Sequence, residues 1–205
     1  MSTQTLVRFN VQNVKYATPD SSGVYGAFAA YGTAIKMALQ ADSAVKKIFG
    51  DGRRICAIVN EKSKTGTLAT NNINDDYEVA MGRKIRTSKG LAEIKQIKNV
   101  EHVMYFETCG VGADGTYPIA KTMLYGVTSL RPAESFDQNT DDINESSFET
   151  SLEISGVKMK ASDGTTIYKD DKGNEVVVWQ MTLTPDDPDY ETFGTAVVFP
   201  QMPVA

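Results

Sequence analysis

His102 is the only histidine in the 205 residues, so serine- or cysteine-based nucleophilic chemistry has one candidate base. It lies in Val100-Glu101-His102-Val103-Met104-Tyr105-Phe106, an apolar run that reads as a strand. A lone strand histidine is more often packed than catalytic. Cys56, between Ile55 and Ala57, reads as a small core residue. Cys109 follows Thr108 and precedes Gly110 at a strand end, with no cation beside it to make a reactive thiolate. The two cysteines form neither a Cys-x-x-Cys pair nor a disulfide scaffold, and one histidine cannot build a zinc site of the usual His-x-x-x-His kind. The acids Asp137, Asp141, Asp142 and Glu145 miss the Asp-x-Asp-x-Asp-Gly spacing of a calcium loop and read as a solvated acidic loop. Glycoside hydrolysis needs two carboxylates converging in space, and no pair here is singled out. Gly50-Asp51-Gly52 and Gly110-Val111-Gly112 fall in turns, not between a strand and a helix where a phosphate loop would sit. The expectation is a protein without catalytic residues, cofactor or metal.

The elements that would carry any other role are ordinary in composition. Hydrophobic residues make up 41 % and charged residues 23 %, as in a soluble globular chain long enough to fold without staples. No apolar run approaches the ~18 residues of a membrane span, so no membrane insertion is expected. Met1-Ser2-Thr3-Gln4 lacks the basic and apolar stretches of a secretory signal. The net charge of −5 argues against a protein that grips nucleic acid through its phosphates. The charge is uneven, however: residues 1–100 hold 15 Lys and Arg against 8 Asp and Glu, whereas residues 101–205 hold 6 against 18. Either the halves interleave and the bias vanishes in space, or copies stack with complementary faces. Lys46, Lys47, Arg53 and Arg54 flank one glycine turn, a charged hairpin rim suited to an acidic neighbour.

Period-two patterns separated by glycine turns predict a mostly β fold. Asp51-Gly52, Asp114-Gly115 and Asp163-Gly164 supply hairpin chemistry, with Asp171-Lys172-Gly173 a fourth turn. Strands are expected over 6–16, 34–40, 45–49, 54–59, 66–71, 92–97, 102–108, 117–130, 147–159, 176–184 and 196–199. One helix is expected over 74–82, with Asp75 and Glu78 at capping-box spacing. Residues 132–144 form a long polar loop, a length that usually signals function or mobility. The proline-bearing tail from Pro185 reads as an extended arm.

Several segments resemble, in order, the major tail proteins of long-tailed phages of Gram-positive bacteria. Lys64-Thr65-Gly66-Thr67-Leu68, with the helix and glycine that follow up to Gly82, is similar to that family's strand–helix signature. Phe106-Glu107-Thr108 ahead of Asp114-Gly115 resembles its next strand and hairpin. Tyr125 to Arg131-Pro132 resembles the element leading into its polar loop, and a strand of the 148–154 type follows. The likeness spans residues 34–160. It implies a phage tail-tube fold: a β-sandwich or partial barrel with one short flanking helix and extended arms. It also implies assembly, with six copies to a ring, inner strands joined into one barrel, and rings stacked into a tube through which DNA passes at ejection. The partners it implies are further copies of the chain, a tape-measure protein, a tail terminator and distal tail proteins. The address it implies is the virion tail, assembled in the host cytoplasm.

On this reading residues 1–161 form the tube domain with an N-terminal arm, and 162–205 a hairpin or arm extension within the same unit. The loop acids Asp137, Asp141, Asp142 and Glu145 are the expected assembly loop. Ser147, Glu149, Ser151 and Glu153 alternate along one strand and are the expected lumen face, which plain solvent exposure would explain equally. Other readings remain open at this level: an acidic β-sandwich that binds a glycan or surface through Tyr25, Phe28 and Tyr31, a tube protein of a bacterial injection system, and a carboxylate hydrolase.

Overall fold

The computed structural model describes residues 5–96, 98–112, 115–134 and 147–203. Its centre is the pair β7 (His102–Gly112) and β8 (Ile119–Ser129), which is buried on both faces. That is why these strands read as nearly continuous apolar runs and not as alternations. Met104, Phe106, Leu124 and Val127 face one core, which also takes Tyr16, Tyr31, Leu68, Leu152 and Ile154. Val103, Tyr105, Met123 and Tyr125 face a second core, closed by Phe193 from the C-terminal segment. Gly126, at φ 63°, lets Leu124 and Val127 share a face. A side chain there would meet the Gly156 backbone at 2.7–2.8 Å.

Eight antiparallel strands make one sheet, ordered β2-β1-β7-β8-β9-β4-β3, with β12 on the remaining part of β8. β1 (Thr5–Ala17) carries three irregularities in its pairing with β7, two of them at Asn10 and Asn13. Both asparagines have positive φ, which their side chains tolerate better than most. β9 (Phe148–Ile154) joins β8 at Val127–Ser129, and β12 (Gln180–Leu183) joins it at Lys121–Leu124. β2 (Ala29–Gly32) pairs with β1 only at Val14–Tyr16 and is separated by Thr33 alone from β3 (Ala34–Gly50). The two ends of the strand order therefore adjoin along the chain. No ladder joins β1 to β3 among the described residues, so the sheet curls without closing into a barrel. A groove of about 410 Å³ lies between them over Phe106.

Two pairs of expected strands are each one long strand. Residues 34–40 and 45–49 merge into β3, and 54–59 and 66–71 into β4 (Arg53–Thr70). The polar stretches that part them in the sequence are strand residues, of which Asp42, Ser43, Glu61 and Lys62 face solvent. Conversely, 147–159 breaks at Ser155-Gly156 into β9 and β10 (Val157–Lys158), and 176–184 breaks at Trp179 into β11 (Val177–Val178) and β12. The side chains of the latter run divide between the cores: Trp179 packs on the first core, and Met181 and Leu183 on the second. Residues 196–199 form no strand, and the tail from Pro185 lies across the second core as irregular chain. There Tyr125 donates to the Val198 carbonyl and Lys121 to that of Tyr190.

Helix α1 (Asp75–Ala80) is capped by Asn74, not by Asp75: its side chain accepts from the Tyr77 amide. Asn74 also donates to the carbonyls of Ala30 and Tyr31, which ties the helix start to β2. Glu78 is then free of any capping duty and turns inward. The hairpin β5 (Lys84–Thr87)–β6 (Gly90–Glu93) follows, with β6 shorter than the expected 92–97 strand and displaced towards the turn. Lys84 and Arg86 pair with Asp75 and Asp76 of the helix.

Candidate functional site

The residues with the richest chemistry lie inside the fold, beneath α1. Tyr77 enters the core edge-on to Tyr16 and Tyr31, at ring separations of 4.8 and 4.6 Å. Its hydroxyl sits 2.9 Å from His102 Nε2 and donates to Ser129 Oγ at 2.7 Å. Arg83 lies above the Tyr77 ring, donates to the Ser129 carbonyl, and pairs with Glu78 at 2.8 Å. Its Nε finds no partner among the described residues. Burial pulls His102 down to about 4, with the Arg83 charge acting in the same sense against the Val100 carbonyl. Burial raises the Glu78 carboxyl against the pull of Arg83. His102 and Arg83 are both 0 % exposed, so a molecule outside cannot touch the imidazole. The only histidine is a packed, hydrogen-bonded strand residue, as its neighbours in sequence indicated.

The second notable region faces entirely outward. Past Lys64, β4 loses its neighbour β9 and, among the described residues, pairs with β3 alone. Residues 42–50 and 53–63 thus leave the body as a two-stranded ribbon about 30 Å long at the usual rise per residue. Asp51 and Gly52 turn it at φ 50° and 75°, the double positive φ of the tightest hairpin turns. Phe49 is 65 % exposed and Ile55 68 %, with Val45 and Ile48 also open to solvent. Lys46, Lys47, Arg53 and Arg54 surround them and form no ion pair among the described residues. Cys56 is exposed here, not in the core: it reads as a core residue only if its strand belongs to the body. The ribbon's length was hidden in sequence because Ala41-Asp42-Ser43-Ala44 and Glu61-Lys62-Ser63 look like loops.

Backbone edges are open as well. The outer side of β3 is unpaired along its length, and that of β1 is unpaired over residues 5–12, among the described residues. Ser147, Glu149, Ser151 and Glu153 are all exposed, and the last three alternate along β9 with buried Phe148, Thr150, Leu152 and Ile154. Thr150, though polar, keeps the alternation: its hydroxyl meets Tyr31 inside. Thr67 and Thr65 stand opposite Ser151 and Glu153, with Ala38 and Gln40 next across the sheet. The result is a face of small, hydroxylated and acidic side chains along a groove of about 500 Å³ that Leu39 and exposed Leu130 also line.

Asp137, Asp141, Asp142 and Glu145 lie outside the described residues, as does Asp114. Tyr25, Phe28 and Tyr31 do not form an exposed aromatic patch. Tyr31 is buried against Tyr77, Phe28 packs on Tyr105, and Tyr25 on Phe199. Among the described residues no three His, Cys, Asp or Glu side chains gather to hold a metal, and no helix is long and apolar enough to cross a membrane. No protein-family model matches the sequence, and no curated protein matches it either.

Proposed function

We propose that this protein is a self-assembling structural subunit, a tail-tube protein whose copies join into rings and stack as a hollow conduit for DNA. The observation that carries this reading is the unfinished sheet. Among the described residues β3 offers an unpaired edge 17 residues long, and β1, second in the strand order, offers residues 5–12 beyond its short pairing with β2. Long open edges invite pairing with another chain, and soluble monomers usually blunt or cover them. Joining β3 of one copy to an open edge of the next would satisfy both rows of backbone groups and extend a curved sheet around a ring. The sequence resemblance supplies the ring and the tube, and the curl and open edges of the sheet are compatible with both.

On this reading the face of Ser147, Glu149, Ser151 and Glu153 lines the channel. Small hydroxylated side chains with scattered carboxylates would repel phosphate lightly and let a polyanion slide. The further partners are those of a tail: a tape-measure protein inside, and terminator and distal proteins at the ends. Negative-stain imaging of the purified chain at high concentration, after size-exclusion chromatography, tests the proposal. Rings or hollow tubes are expected, and a protein that stays monomeric at high concentration would overturn it.

A further inference from the structure

The ribbon and the C-terminal segment carry opposite charge and matching apolar surface. Residues 46–54 hold four cations and one acid, and residues 157–203 hold eight acids and four lysines. Within that acidic segment a cleft of about 400 Å³ opens beside the second core. Its apolar lining includes Leu183, Phe193, Val198 and Phe199, and Asp187 and Asp189 stand exposed among the lining residues. The Asp187 carboxylate is held by the Thr184 amide and hydroxyl, which lowers its pKa and keeps it charged. Two other grooves fit the ribbon less well, and in a third, beside α1, Asp75 and Asp76 are already paired with Lys84 and Arg86. The one between β1 and β3 carries Arg8 and Lys36 and would repel its cations, and the one over Ser151 has Glu153 as its single acid.

The arrangement of the ribbon's side chains narrows the partner further. Opposed residues in an antiparallel pair share a face. Phe49 stands opposite Arg54 and Lys47 opposite Ala57, whereas Ile48 stands opposite Cys56 beside Lys46. Each face therefore mixes an apolar residue with cations. A ribbon lying on a membrane would gather its apolar residues on one side. A ribbon tip seated in an apolar cleft with carboxylates at hand would use both.

We infer that the ribbon tip of one copy docks in the C-terminal cleft of a second copy, with Phe49 as the apolar anchor and Lys47 and Arg54 facing Asp187 and Asp189. The contact is head-to-tail: each copy gives a tip and receives one, so it propagates instead of closing a pair. It rests on the reading that copies assemble, and names the surface that one of their contacts uses. A buried aromatic anchor flanked by charge is the usual make-up of an interface hot spot.

Two measurements on the full-length chain test it. Phe49→Asp should raise the concentration at which half the protein assembles by about tenfold or more, the loss of a single strong anchor. Far-UV circular dichroism confirms that the variant is folded. In a Cys56→Ser, Cys109→Ser background, one protein bearing Ile48→Cys is mixed with another bearing Val198→Cys and assembled under mild oxidant. A disulfide joining the two is expected, identified by mass spectrometry, and far less of it when Lys89→Cys on the β5–β6 turn replaces Val198→Cys. If the wild type forms rings or tubes but Phe49→Asp assembles equally well, or the cross-link is no stronger than the control, the docking is wrong and the assembly reading stands. If the wild type stays monomeric, both fall.

Discussion

The corner beneath α1 and the β3–β4 ribbon both concentrate charged residues, and they use them in opposite ways. In the corner, Arg83, Glu78, His102, Tyr77 and Ser129 are enclosed and bonded to one another. In the ribbon, four cations and several apolar side chains stand in solvent beside unpaired backbone. Buried polar groups must find partners inside, because an unmet one costs about 1–3 kcal/mol. The corner therefore spends its chemistry on holding one chain together. The ribbon does the reverse: an isolated two-stranded hairpin is marginal in water, and exposing Phe49 and Ile55 gains the monomer nothing. Chemically rich residues are thus a poor guide to function here, and unserved surface is a better one.

The sharpest way to break this contrast is to unpair the corner. Glu78→Gln removes the charge that compensates Arg83 and keeps the shape. Stripping one partner from a buried ion pair typically costs about 3–5 kcal/mol, and urea unfolding followed by circular dichroism should show a loss of that order. Replacing both partners together, as Glu78→Leu with Arg83→Met, should recover much of it, because no charge is then left buried. A Glu78→Gln loss below about 1 kcal/mol would mean that Arg83 finds other compensation and that the corner is not the closed unit described.

A smaller effect should appear with pH. His102 titrates near 4 in the fold against an ordinary value of 6.5, so the unfolded chain binds its proton first on acidification. The stability due to the neutral imidazole is complete above about pH 6.5 and is lost as the pH falls towards 4, by up to roughly 3 kcal/mol at about 1.4 kcal/mol per unit. Glu78 acts in the opposite sense: its raised folded value makes the fold bind a proton before the unfolded chain does, which adds stability as the pH falls. The two overlap, so the clean readout is a difference. Stability measured from pH 7 to 4 should fall less steeply in His102→Gln than in the wild type, and identical slopes would mean that the imidazole is not held neutral.

Much of the body was legible in the sequence because local pattern and burial agree there. The expected 102–108 strand lies within β7, the first part of the expected 147–159 strand is β9, and the helix formed where Asn74 and Gly82 bound it. The burial of Thr150 was not legible, because its hydroxyl meets Tyr31, 119 residues away, which no local window shows. The run 176–184 read as one strand because no local pattern shows that Trp179 alone packs on the first core, between Val178 and Met181 on the second. The ribbon was half legible. Asp51-Gly52 marked its turn and the four cations marked its tip, but nothing local says that strands pair for so many residues without a third neighbour. The open edges were invisible in the same way, since an edge is defined by the strand that is not there.

The smallest expected effect is the one that most sharpens the contrast. Ile55→Ser alters a side chain that is 68 % exposed, on a strand whose only neighbour there, among the described residues, is β3. Surface substitutions of this kind usually change stability by no more than about 0.5 kcal/mol. At low micromolar concentration the melting temperature of Ile55→Ser should therefore match that of the wild type. As concentration rises, association stabilises the folded state by mass action, and the wild-type melting temperature should climb. The variant should climb less, because Ile55 adds apolar surface to the tip that docks. A loss already present at low concentration would mean that the ribbon packs on its own body in solution. Equal climbs would mean that copies meet through the sheet edges and leave the ribbon bare.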